Sequence, residues 1–227
     1  MISRENNKSN LTGSQQDFRL AEYYDYFITQ KNNKVTTKNL GEKTALLNKY
    51  FFEYIKEYNI PCAYIKKEDK RKLQFLKFDE FPFRIKIINS ADARTAKIFS
   101  IKAGSLLQLP ILEYHYGDLK DSVITESHII SFNLCLYDEL KIINRLCSKI
   151  NAIVKSFFER RGLLLLELTC MFGKFESKIF LIDDFSPLSI KISSGKTEEK
   201  LPDPYKIETA AQMKKYSDFL LKLTNGD

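Results

Sequence analysis

Residues 163–187 read Leu-Leu-Leu-Leu-Glu-Leu-Thr-Cys-Met-Phe-Gly-Lys-Phe-Glu-Ser-Lys-Ile-Phe-Leu-Ile-Asp-Asp-Phe-Ser-Pro. Two apolar runs carry Glu167 in the first and Asp183 and Asp184 at the end of the second. An ionised carboxylate on an apolar strand is expensive unless a cation, a hydrogen-bond donor or a metal meets it. If Glu167 and Asp183 sit on neighbouring strands and share a face, they could hold Mg²⁺, which takes one or two protein carboxylates and completes its shell from water and phosphate. On spacing alone, a solvent-facing Glu167 and a turn at Asp183-Asp184 is the commoner arrangement.

Other candidates carry less chemistry. Asp118, Asp121 and Glu126 form an acidic loop after a strand, able to offer a metal or substrate ligand, although such loops are usually solvated. His115 and His128 are the only histidines, and neither has a nucleophile or carboxylate at a motif spacing. Lys66, Lys67, Lys70, Arg71 and Lys72 are interrupted by Glu68 and Asp69, which fits a charged hairpin turn better than an RNA-binding surface.

The elements that must position these groups follow from periodicity. Leu46, Leu47, Tyr50, Phe51, Tyr54 and Ile55 mark one face of a helix over 44–58, stopped by Asn59-Ile60-Pro61. A longer stripe from Leu140 to Phe158 predicts a helix over 136–161, ended by Gly162. The aromatic cluster in 18–28 suggests a strand. Short runs at 63–65, 73–78 and 83–88 suggest an antiparallel meander, with Asp79-Glu80-Phe81-Pro82 as a turn. A short helix within 91–102, a strand at 111–116 beyond the breakers Gly104 and Pro110, and a helix over 127–132 entered through Thr125 come next. The apolar hairpin of 163–187 and a last amphipathic helix over 208–223 complete the chain. No βαβ rhythm, Gly-x-Gly-x-x-Gly or Walker loop points to a doubly wound fold; the order is α+β.

The 227 residues carry 36 basic and 29 acidic side chains, for a formal charge of +7, and the two signs are interspersed. Weak attraction to polyanions follows, without a nucleic-acid signature. Cys62, Cys135, Cys147 and Cys170 are far apart and read as buried thiols in a reducing compartment. The polar start of the chain, and the lack of any apolar stretch of spanning length, fit a cytoplasmic protein with no membrane partner.

Taken in order, the segments resemble the family of phosphoribosylaminoimidazole-succinocarboxamide synthases, also called SAICAR synthetases, over most of residues 41–223. Gly41 through Asn59-Ile60-Pro61 looks like the family's Gly-Lys-Gly, helix, Gly-Ile-Pro passage. Phe78 to Asn89 is similar to its strand-turn-strand ending in Val-Arg-Asn, and Asp121-Ser-Val-Ile-Thr-Glu126 resembles Asp-Pro-x-x-x-Glu. Arg161 to Gly173 looks like Gly-(apolar)-Asp-x-Lys-x-Glu-Phe-Gly, Asp183-Asp-Phe-Ser-Pro187 like Asp-Glu-Phe-Ser-Pro-Asp, and Asp203-Pro-Tyr-Lys206 like Asp-x-(Tyr or Phe)-Arg.

The resemblance implies an antiparallel β-rich N-terminal part packed against a mixed C-terminal part with a long helix, a β-hairpin and a terminal helix. The expected division is a mobile leader over 1–16, a nucleotide-binding part over 17–90 and a substrate- and metal-binding part over 91–227. It implies an ATP- and Mg²⁺-dependent ligase joining aspartate to a carboxyaminoimidazole ribotide through an acyl phosphate, in a chain that forms a homodimer. By carry-over, Glu167 and Asp183 face the metal and phosphates, and Lys77, Asp79 and Phe81 line the adenine. Asp121, Ser186 and Lys191 meet substrate, Lys191 standing where the family has arginine.

Several positions depart from the pattern. The signature lysine is Thr169, the acid after it is Met171, and the arginine before Asn89 is Ile88. The phosphate-covering N-terminal loop has no counterpart. A nucleotide- or protein-binding chain on the same fold is therefore the alternative to the ligase.

Overall fold

The computed structural model describes residues 18–117, 122–182, 185–194 and 201–224. The expected leader, together with Asp118, Asp121, Asp183 and Asp184, lies outside them. Three sheets and five helices form the described chain.

The aromatic segment near the start yields two strands, β1 (Phe18–Glu22) and β2 (Tyr26–Ile28), rather than one. β2 pairs with β3 (Lys34–Thr36). Helix α1 (Leu40–Lys56) opens after Asn39 and is followed by Asn59, both in the left-handed region that asparagine tolerates. β4 (Tyr64–Asp69) and β5 (Lys72–Leu76) form the charged hairpin, and β1 pairs with β5 to give a three-stranded sheet. Arg71 at the hairpin turn meets Asp25 at 2.7 Å, so this basic cluster is tied into the fold.

The expected meander breaks at its third strand. β6 (Asp79–Ser90) leaves β5 and enters a second, six-stranded sheet, where it lies between β7 (Leu106–Tyr116) and β9 (Leu164–Phe175). The residues expected to turn, Asp79 to Pro82, instead begin this strand across an irregularity in its pairing with β9 between Glu80 and Arg84. The two sheets thus part at residues 77–78. Helix α2 (Ala93–Ile98), capped by the Asp92 side chain, links β6 to β7. Pro110 does not break β7. It falls where the ladder opens between the pairs Ile88–Ile111 and Ser90–Leu106, a place that needs no proline N–H.

β8 (Val123–Ile124) pairs with β7, and α3 (Glu126–Ser131) follows, capped by Thr125. The long helix α4 (Tyr137–Glu159) runs as its stripe predicts and ends ahead of Gly162, whose φ is 71°. β9 then takes the centre of the sheet. It carries β6 along one edge, and β10 (Lys178–Leu181) and β11 (Ile190–Ser193) end to end along the other. α5 (Ala210–Thr224) closes the chain, and its buried Tyr216 hydroxyl donates to the Ile190 carbonyl and accepts from the Ile192 N–H, each at 2.9 Å.

The core lies between the helices and the inner face of this sheet. Phe51 of α1 packs on Phe157 of α4 and on Phe185 with ring centroids 5.2 Å apart in each case. Two glycines allow close approaches. A Cβ at Gly41 would stand 2.3 Å from the Tyr23 carbonyl oxygen, and one at Gly173 would meet the Phe78 ring at 2.8 Å. Among the described residues, no helix is long and apolar enough to cross a membrane. Cys62, Cys135, Cys147 and Cys170 are free and buried; burial pushes the Cys62 thiol up to about 12 and that of Cys135 up to about 11, which leaves neither fit to act as a nucleophile.

Candidate active site

Successive side chains of a strand point to opposite faces, so cross-strand partners share a face. On the inner face Ile85, Ile87, Leu168, Cys170 and Phe172 are buried, and Asn89 exchanges two hydrogen bonds with Asn151 of α4, at 2.8 and 2.9 Å. The outer face is different. Its first rung runs Lys191 (β11), Glu167 (β9), Ile88 (β6) and Ile111 (β7). The second runs Thr169, Lys86 and Glu113, and the third Met171, Arg84 and His115. Nearly every charged group in the middle of the sheet therefore lies on one side of it.

Glu167 is only 7% exposed, so the solvent-facing arrangement that spacing alone favours does not hold. The Tyr205 hydroxyl hydrogen-bonds this carboxylate, and burial together with the negative charge of Glu167 pushes the Tyr205 phenol well above its ordinary value. Lys191 is half-buried, with its ammonium 4.8 Å from the centroid of the Tyr205 ring. Burial holds the Lys191 ammonium below the usual lysine range; Glu167 and Asp203 act against that shift, while Lys86 adds to it. The turn bearing Tyr205 is fixed by Asp203, whose Oδ1 accepts from the Tyr205 N–H at 3.0 Å and whose carbonyl accepts from the Lys206 N–H at 2.9 Å. The sequence marks Asp203-Pro-Tyr-Lys206 as a landmark but does not place Tyr205 in the site. The only available signal was an aromatic residue in a polar turn.

At the other end of the face, His115 is buried and its Nε2 lies 2.6 Å from Glu113 Oε1. Burial and the Lys86 charge lower the His115 pKa below its ordinary value against the pull of Glu113, and Arg84 lowers it further. His115 is thus part of the charged face, although its spacing gave no motif. Glu126 lies away from it: with Asn144 Nδ2 and the Tyr114 hydroxyl it forms contacts of 2.8 Å that tie β7 to α3 and α4. His128 caps α3 with Thr125.

The nucleotide candidates stand apart from Glu167. Asp79 pairs with Lys174 of β9, whereas Glu167 pairs with Ile88, so seven residues of strand, roughly 23 Å, separate the two rungs. Lys77 and Asp79 are exposed; Phe81 is buried against Phe83, with ring centroids 5.9 Å apart. A ligand touching both groups has to lie along the strand.

Ser186 is buried, and its hydroxyl accepts from the Leu188 and Ser189 N–H groups at 3.2 Å each. It closes the turn that launches β11, and through it sets where Lys191 stands. Asn48 of α1 anchors the same segment by accepting from the Phe185 N–H at 2.9 Å. Among the described residues no group of three or more His, Cys, Asp or Glu is placed to hold a metal. Glu167 is the single described carboxylate of the expected pair, and one carboxylate beside phosphate-attracting cations suits Mg²⁺, which needs few protein ligands.

The chain and its fold have known counterparts. A synthase of the same name as the resembled family from Clostridium kluyveri is 28% identical over 203 residues, covering 88% of this chain and 86% of its own. The corresponding protein of Persephonella marina is 26% identical over 193 residues, covering 84% and 81%. Among solved structures, phosphoribosylaminoimidazole-succinocarboxamide synthase from Ehrlichia chaffeensis superposes with a TM-score of 0.83 at 24% identity, covering 92% of each chain. A SAICAR synthetase in complex with ADP superposes with a TM-score of 0.84 at 24% identity, covering 95% of this chain and 94% of that one. Fold and sequence together define the class, an α+β ATP-dependent ligase. The family model described as SAICAR synthetase matches residues 19–207, and the chain belongs to that family.

Proposed function

We propose that the chain joins L-aspartate to carboxyaminoimidazole ribotide at the expense of ATP. The observation that carries this reading is the buried Glu167 carboxylate, held by the Tyr205 hydroxyl beside Lys191 on the one charged face of the central sheet, in a chain of this family. Phosphoryl transfer asks a protein to align its reactants and neutralise charge, more than to supply covalent chemistry. The ribotide carboxylate attacks the γ-phosphorus of ATP, giving an acyl phosphate and ADP. The aspartate amine then attacks the acyl carbon; a carbon–nitrogen bond forms, the bond to phosphate breaks, and the amine proton leaves with phosphate or to solvent.

Glu167 and Asp183 would hold Mg²⁺, which supplies charge neutralisation at the phosphates. Lys77 and Asp79 would line the nucleotide, with Phe81 supporting them from the core. Lys191 would meet the ribotide with Asp121, and Ser186 would act by fixing the turn ahead of Lys191. The buried free thiols suit work in the cytoplasm, and a homodimer is the expected assembly. Neither nucleic acid nor membrane is needed as a partner.

A second reading rests on Thr169 and Met171, which leave the two lower rungs of β9 without charge. On that reading the chain binds nucleotide without ligating. A coupled ADP-release assay with ATP, aspartate and the ribotide separates the two. Turnover that vanishes in Glu167→Ala supports the ligase, whereas no turnover with retained thermal stabilisation by ATP supports the binding protein.

A further inference from the structure

We propose that Lys86 is an anion-binding residue of this site, its ammonium receiving a phosphoryl or carboxylate oxygen of a substrate at the centre of the charged face. The proposal rests on the ligase reading for the identity of the anion, and on geometry for its position. Lys86 stands on β6, an inner strand, with Thr169 beside it on β9 and Glu113 on β7. Neither neighbour forms an ion pair with it: Thr169 is uncharged, and the Glu113 carboxylate, which shares the face, directs Oε1 to His115 Nε2 at 2.6 Å. Glu167, one rung away, is engaged by Tyr205. Among the described residues Lys86 has no hydrogen bond or ion pair, although it is half-buried.

The cations around it sharpen the point. Lys191 lies across β9 on the same face and Arg84 one rung along β6. A half-buried lysine with no ion pair, set among other cations, is placed to receive the oxygens of an anion. The face is thus assembled for a ligand with negative oxygens. The pairing also bears on Thr169: the rung that lacks the expected lysine on β9 carries one on the adjacent strand, with its side chain on the same face. The positive charge has moved by one strand, about 5 Å sideways, rather than disappeared.

Lys86→Met keeps length and removes charge; Lys86→Val serves if the methionine variant does not fold, and Lys86→Arg keeps charge. Calorimetric titration with ATP and with the ribotide separately identifies which substrate supplies the anion, and steady-state assays give kcat/KM. We expect Lys86→Met to lose at least ~10-fold affinity for one of the two and ~100-fold in kcat/KM. Lys86→Arg should retain most binding, and Thr169→Lys should restore at least ~10-fold of the loss in a Lys86→Val background. A neutral variant whose two affinities and kcat/KM stay within twofold of the parent overturns the proposal while leaving the ligase intact. A parent that binds either ligand without turnover, with that binding lost in Lys86→Met, upholds the anion site and overturns only the ligase reading. A parent that neither turns over nor binds either ligand overturns both.

Discussion

The Lys191 ammonium lies 4.8 Å from the centroid of the Tyr205 ring, whose hydroxyl reaches the Glu167 carboxylate. One side chain thus holds an acid by its tip and a cation by its face. Tyr205→Phe should separate the two roles. Removing the hydroxyl deprives a buried carboxylate of a donor, and we expect ~1–2 kcal/mol of lost stability in urea titrations and a fall of roughly 10-fold in kcat. Tyr205→Ala, which also removes the ring from Lys191, should cost more in ribotide KM than Tyr205→Phe does.

His115 gives the protein a defined acid sensitivity. Unfolded, it titrates near 6.5; folded, burial, Lys86 and Arg84 hold it lower, against Glu113. The native state therefore binds fewer protons than the unfolded chain below ~6.5, so the stability is fully present above that pH and is lost as pH falls toward the folded value. Thermal melts from pH 7.5 to 5 should show a decline beginning near 6.5, and His115→Gln should flatten this part of the profile.

Gly41 and Gly173 should differ in their tolerance of alanine. A Cβ at Gly41 meets main chain at Tyr23, which cannot swing aside, whereas at Gly173 the nearest atom belongs to the Phe78 ring. Gly41→Ala should destabilise by ~3 kcal/mol or more despite the gain in helix propensity, and Gly173→Ala by ~1–3 kcal/mol, both read from urea unfolding midpoints.

Asn89 and Asn151 form a closed buried pair. Replacing either with alanine strands the other amide, at a cost of ~2–3 kcal/mol, and the double variant should cost clearly less than the sum of the singles. Equilibrium unfolding of the four proteins in the cycle tests this.

Helices were the most legible part of the chain because their stripes are local. Leu46 to Ile55 and Leu140 to Phe158 each state a face within one element, and α1 and α4 follow. Asp79 to Pro82 and Pro110 misled because their turn chemistry is real; the ladder is irregular at just those points and so tolerates them within strands. The departure of β6 from the meander could not be read from the segment itself, since its partners β7 and β9 come later in the chain. For the same reason Glu167 is recognisable in the sequence as an odd acid, while its place beside Tyr205, on one face with Lys86 and His115, is not. Their relation to it exists only across strands and turns.

β9 supplies the last feature of consequence. It is the inner strand on which β6, β10 and β11 all pair, yet it follows α4 in the chain. During synthesis at the ribosome, β6 is therefore complete long before the strand that covers its far edge, and α1 waits for Phe157 and Phe185 to fill its aromatic face. The growing chain has to keep that edge and those rings out of other company until its final third emerges, which makes the slow appearance of one strand, rather than any weakness of the finished core, the moment of greatest exposure to aggregation.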